Sequence, residues 1–125
     1  MELKDLSEDQ LDLAYFALAQ ALDGVSVRDC RMPFVVTDGP GGRELTWIER
    51  AEQAYELDGR RHRAVVWHDT LSSDESGAPI PAVVVELTGI DLGGTALIAQ
   101  LYRPGGPHRR FAALGDPYLL HTASA

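Results

Sequence analysis

The stretch LSEDQLDLAYFALAQAL, residues 6–22, constrains this chain more than any other. Ser7 and Gln10 have the spacing of a capping box, and Leu6 and Leu11 have that of a hydrophobic staple around the same helix start. Leu11, Ala14, Tyr15, Leu18 and Leu22 then recur at helical spacing and form one apolar stripe. Gly24 follows, a residue suited to the left-handed conformation that closes helices. The pattern predicts a helix from about Glu8 to Asp23. A lone amphipathic helix cannot bury its stripe by itself, so the rest of the chain must supply the surface it lies on.

That remainder reads mostly as strand. VSVRDCRMPFVV, Val25 to Val36, alternates at first, and Pro33 marks an edge or a bend because proline cannot donate to a ladder. TDGPGGR is a loop by its Gly and Pro content. RRHRAVVWHDTL, PAVVVELT and TALIAQLYR read as strands, separated by the polar SSDESGAPIP and the turn-like GIDLGG. FAALGDPYLLHT is expected to give a short strand, a break at Gly115-Asp116-Pro117, and an apolar end. The expected architecture is α+β: one N-terminal helix on a curved antiparallel meander of about five strands, as a single domain over 1–125. No residue motif names a family. In plan alone the arrangement resembles cystatin-like, nuclear-transport-factor-like and secretion-chaperone-like folds, which host both enzymes and binders.

The segment ELTWIERAEQAYEL, Glu44 to Leu57, fits two periods. As a helix it gathers Trp47, Ile48, Ala51, Ala54 and Tyr55 on one face, and its Glu, Arg, Ala and Gln favour that state. As a strand it gathers Leu45, Trp47, Ala51, Tyr55 and Leu57, and Asp58-Gly59 supplies a two-residue hairpin turn. In the hairpin register Glu56 opposes Arg61, so the cluster Arg60, Arg61, His62, Arg63 becomes the solvated end of a hairpin. The same register sets Glu49 opposite His68 on the half-buried face. A carboxylate beside an imidazole raises the proton affinity of the ring and can support general acid/base chemistry. Trp47 and Tyr55 would wall a pocket around that pair.

Charge and composition narrow the function classes. Nineteen acidic residues against eleven basic ones give a formal net charge of -8, which argues against a nucleic-acid partner. No apolar run approaches the ~18 residues that span a bilayer, so no membrane partner is expected. Met1 leads into charged residues rather than a signal peptide, and Cys30 is the only cysteine, so no internal disulfide can form. Cytoplasm is the expected location.

The best candidate for anion binding is Arg103-Pro104-Gly105-Gly106-Pro107-His108-Arg109-Arg110, where glycine amides and the side chains of Arg103, His108, Arg109 and Arg110 could cradle a phosphate or carboxylate. It lacks the GxxxxGK[ST] pattern of a nucleotide loop, and a solvated hairpin loop explains it equally. His62 and His68 lie six residues apart on one strand, about 20 Å by strand rise, too far to share an ion. No metal and no cofactor is expected. Cys30 lacks a recognisable base and reads as a packed cysteine. The function expected from these features is that of a small binding or accessory protein without catalysis. It would offer a sheet face or edge to another protein or to itself as a homodimer. The alternative is a small-molecule-binding, hydrolase- or isomerase-like domain with a helix–sheet pocket and Glu49 and His68 as its acid/base pair.

Overall fold

A computed structural model of the chain describes residues 5–28, 30–39, 42–50, 62–72, 79–89 and 94–124. Helix α1, Glu8–Arg28, opens as its sequence dictates. The Ser7 amide donates to Gln10 Oε1 at 2.9 Å, and the Gln10 amide donates to Ser7 Oγ at 3.2 Å, closing the capping box in both directions. Leu6 is buried and Leu11 packs against the same core, so the staple also forms.

The end of the helix departs from expectation. Gly24 stays helical, and Val25 to Arg28, expected to open a strand, form a further turn of α1. Val25 continues the helical row of Leu18 and Ala21 onto the sheet, and that burial overrides its strand preference. The Gly24 carbonyl accepts the Cys30 amide at 3.0 Å, so the chain turns only after the added turn. The buried face is Leu13, Ala14, Ala17, Leu18, Ala21 and Val25, while Tyr15, expected in the stripe, is 48% exposed. Three alanines along the contact let the helix backbone approach the strands closely, and larger side chains of the sheet fill the space.

Six strands follow, β1 (Phe34–Gly39), β2 (Gly42–Trp47), β3 (His62–Ser72), β4 (Pro79–Gly89), β5 (Gly94–Arg103) and β6 (Ala112–Ser124). They form one antiparallel sheet in the order β2-β1-β3-β4-β5-β6. The α+β plan of a helix on an antiparallel meander is therefore the observed one, with six strands rather than about five. The inner face holds Phe34 and Val36, Ala64 and Val66, Val83, Val85 and Leu87, and Ile98 and Tyr102 against α1. On the outer face Val35, Val65 and Ile48 form a small second cluster with Trp67 packed against it.

Three expectations about the strands need correction. The GPGG run joins two strands of a hairpin, with Asp38 paired to Arg43 and Gly39 to Gly42, so β1 is internal and Pro33 does not mark a sheet edge. The edges are β2 and β6. The described part of the 44–57 segment, residues 44–50, does not pair with β3. It ends as strand at Trp47 and pairs with β1, while β3 pairs with β1 and β4. The proposed turn at Asp58-Gly59 and the Glu56–Arg61 pairing lie outside the described residues.

The third correction concerns Gly115-Asp116-Pro117, which interrupts the register of β6 without ending the strand. Ala99 pairs with Tyr118 and Leu101 with Leu114, so residues 115–117 face Gln100 alone. Gly115 takes φ +72°, a conformation that a side chain would strain. The buried Gln100 fills the gap, and its Nε2 donates to the carbonyls of Leu101 at 2.8 Å, Gly115 at 3.1 Å and Leu114 at 3.4 Å. A second irregularity follows at Leu120, between the pairs Leu97–His121 and Ile98–Leu119.

Candidate functional site

His68 lies on the inner face in line with Ala64 and Val66, paired to Val83 across β3 and β4. Its polar neighbour comes from β5, where Tyr102 Oη stands 3.4 Å from His68 Nδ1 and the two rings meet edge to face. Phe111, just before β6, packs against Tyr102 with the rings tilted by 32° and their centroids 5.4 Å apart. Burial pushes the imidazole pKa down to about 4, and the positive charge of Arg31 adds to the shift. The ring is neutral at pH 7, and Nδ1 can then accept the Tyr102 hydroxyl.

Glu49 is not opposite His68. It occupies an exposed bend after β2, and β1 with its lead-in separates it from β3. The Ile48 amide donates to the Pro33 carbonyl at 3.1 Å, which keeps this stretch beside the β1 side of the sheet. A facing carboxylate would raise the histidine pKa, whereas this environment lowers it. Trp47 is 48% exposed, touches Phe34 edge to face, and lines a pocket of about 90 Å³ with Gln20, Gly24, Cys30 and Leu45. Tyr55, its expected companion, lies outside the described residues.

The Arg103–Arg110 loop is a built structure. Gly106 and Arg109 exchange backbone hydrogen bonds of 2.9 and 3.4 Å, leaving Pro107 and His108 at the tip. Arg103 donates through Nε and Nη2 to the Arg110 carbonyl at 3.2 and 3.1 Å, so this guanidinium staples the loop. At Gly105 a side chain would bring its Cβ to 3.3 Å from the Phe111 amide, a close approach that suits glycine.

Of the four predicted anion-binding residues, Arg109 lines a cleft of about 540 Å³, where it is joined by Arg31, which was not among them. The far wall is the last turn of α1, with Ser26 and Val27, and Phe111 contributes from the strand side. His108 and Arg110 are exposed on the loop. Arg31 could not have been joined to Arg109 from sequence, because their proximity depends on α1 running past Gly24. The cleft and the histidine adjoin: Arg31 acts on both, and Phe111 leads from one to the other through Tyr102.

A second surface lies on the outer side of β5 and β6. Leu114, Tyr118 and Leu120 are 39%, 39% and 40% exposed, beside half-buried Leu97 and Leu101. Among the described residues no three His, Cys, Asp or Glu side chains gather as a metal set, and no helix is long and apolar enough to cross a membrane. The chain matches no known family model, no curated protein and no solved structure.

Proposed function

We propose that this chain is a binding protein without catalysis that works as a homodimer through the outer surface of β5 and β6. The observation that carries this reading is the exposed apolar row of Leu114, Tyr118 and Leu120 along an edge strand. Register sets Leu114 beside Leu101 and Tyr118 beside Ala99, so the row continues inward as an apolar strip on one face. A symmetric pair of copies buries such a strip against itself, because the same patch meets its own image. The two irregularities and Pro117 interrupt the backbone ladder of β6, which favours contact through side chains over addition of a further strand. The net charge of -8 discourages indiscriminate association, so a closed dimer is favoured over open aggregation.

Sedimentation equilibrium tests the proposal. The chain should sediment as a dimer at tens of micromolar, and Tyr118→Asp or Leu120→Asp should return it to the 13.6 kDa monomer while keeping its circular dichroism. A monomeric wild-type chain, or a dimer indifferent to both substitutions, would refute it.

A further inference from the structure

We infer that β2 is a self-association edge, through which two copies of this chain join their sheets by antiparallel β2–β2 pairing centred on Leu45. This contact lies at the edge opposite β6, so it goes beyond the β5–β6 dimer and does not rest on it. The two edges differ in their backbone. β6 is broken by two irregularities and Pro117, whereas β2 pairs residue for residue with β1 from Gly42 to Trp47 and contains no proline. Among the described residues no strand lies beyond β2, and all of its residues except Leu45 are exposed. A regular, exposed edge is a template for a further strand.

Pairing with β1 determines which backbone groups that edge offers. The Ile48 amide donates to the Pro33 carbonyl, which marks these two residues as a hydrogen-bonded pair. Hydrogen-bonded and non-hydrogen-bonded pairs alternate along an antiparallel ladder, so Thr46, Glu44 and Gly42 turn their amides and carbonyls toward β1. Arg43, Leu45 and Trp47 turn theirs outward. With Leu45 opposite its own image, these outward amides and carbonyls of one copy meet those of the other, and the ladder closes over the whole strand.

Side chains select this register. A twofold axis normal to the sheet makes the strands antiparallel and keeps both helices on one side, so each residue opposes one from the same face. Arg43 then opposes the partner's Trp47, and Glu44 opposes the partner's Thr46. Each guanidinium faces an indole, which attracts cations, and no like charges meet. A centre at Glu44 sets two carboxylates against each other, and a centre at Arg43 does the same with two guanidiniums. A centre at Thr46 shortens the ladder, because Arg43 and Glu44 would face residues beyond the end of β2. Arg43 already lies over the Phe16 ring at 5.1 Å, and Trp47 is 48% exposed beside Phe34, so both reach the junction from the inner face. α1 rests chiefly on β3 and β4, which keeps both helices back from the junction.

The test is NMR dilution of the Tyr118→Asp chain, in which the outer-face contact is disabled and the β2 contact is read alone. Between about 0.05 and 2 mM, translational diffusion should slow toward that of a dimer with a Kd on the order of 1 mM, as suits a contact below standard interface size. Amides of Arg43, Leu45 and Trp47 should exchange with solvent about twofold more slowly at the upper concentration. Those of Glu44 and Thr46, already turned toward β1, should not change. Thr46 is exposed, so charges placed there keep the fold. Thr46→Arg sets a cation opposite the partner's Glu44 on both sides of the axis and should tighten the contact about threefold, while Thr46→Glu should weaken it about as much. Ala113→Arg, the same charge on the exposed far edge, should leave it unchanged. A chain that stays monomeric to about 2 mM overturns the inference and leaves the edge to an extended segment of another protein. Slowed exchange at Glu44 and Thr46 instead of the outward amides overturns it too, as do Thr46 variants that both move the affinity in one direction.

Discussion

The inner face of the sheet has two unlike halves. Under the middle of α1 the contact is dry and uniform, with Leu13, Ala17 and Ala21 set against Val66, Val85 and Leu87. Beyond the end of the helix the same face carries His68, Gln100 and Tyr102, each with a polar partner, and opens into a cleft with two arginines. The first half holds the chain together through burial of apolar area. The second buries polar groups together with their partners, Tyr102 with His68 and Gln100 with three carbonyls, so substitutions in the two halves should have different signatures.

The largest effect belongs to the dry half. Leu13→Ala removes a fully buried side chain and should cost about 2–5 kcal/mol of stability in urea denaturation. A loss below about 1 kcal/mol would mean that this half is not what holds the fold.

Gln100→Leu comes next. It should cost about 1–3 kcal/mol, because the carbonyls of Leu101, Leu114 and Gly115 would lose a buried donor. A stabilising outcome in the same denaturation series would mean that the polar half is no more demanding than an apolar core.

The histidine gives a smaller and pH-dependent effect. Its folded pKa of about 4 lies below the ordinary 6.5, so the unfolded chain binds the proton more readily. Stability should therefore be unaffected by this ring above pH 6.5, fall as pH drops from 6.5 toward 4, and level off below. Allowing for solvent screening of a half-buried ring, the loss is about 1–2 kcal/mol. His68→Gln should flatten that part of the stability profile. An unchanged profile would remove the histidine from the comparison.

The smallest effect is at the helix start. Ser7→Ala breaks one arm of the capping box and should cost about 1 kcal/mol without altering the cleft. A thermal melt that does not shift would show that the cap is redundant with the staple.

The dry half was the legible one. Ser7, Gln10, Leu6 and Leu11 announce the helix start because capping and stapling depend on neighbours within one turn. The three strand-rich runs at the centre of the chain announce β3, β4 and β5 for the same local reason. The other half depends on partners that are distant in sequence. Tyr102 meets His68 across an intervening strand, and no pattern within either strand names the other. The expected opposition of Glu49 to His68 assumed that consecutive segments pair, whereas β1 lies between β2 and β3. Gly24 and Gly115 show the same limit from the side of the backbone. Each glycine permits a left-handed conformation, but of these two only Gly115 adopts one, where the register leaves extra chain to absorb.

The strand order also bears on how the chain is made. α1 is synthesised first, yet it rests chiefly on β3 and β4, which leave the ribosome much later. A free helix of this length is only marginally stable in water, so the segment should fluctuate with its alanine-lined stripe uncovered during that interval. The hairpins β3–β4, β4–β5 and β5–β6 join neighbours in sequence and can close soon after each strand appears. A chain stopped at Ser72 should show little helix by circular dichroism, and a full helical signal there would contradict this order of events. On this account α1, written ahead of the strands, settles only after β3 and β4 have appeared, and the exposure of its stripe to aggregation or to chaperones ends when β4 is complete.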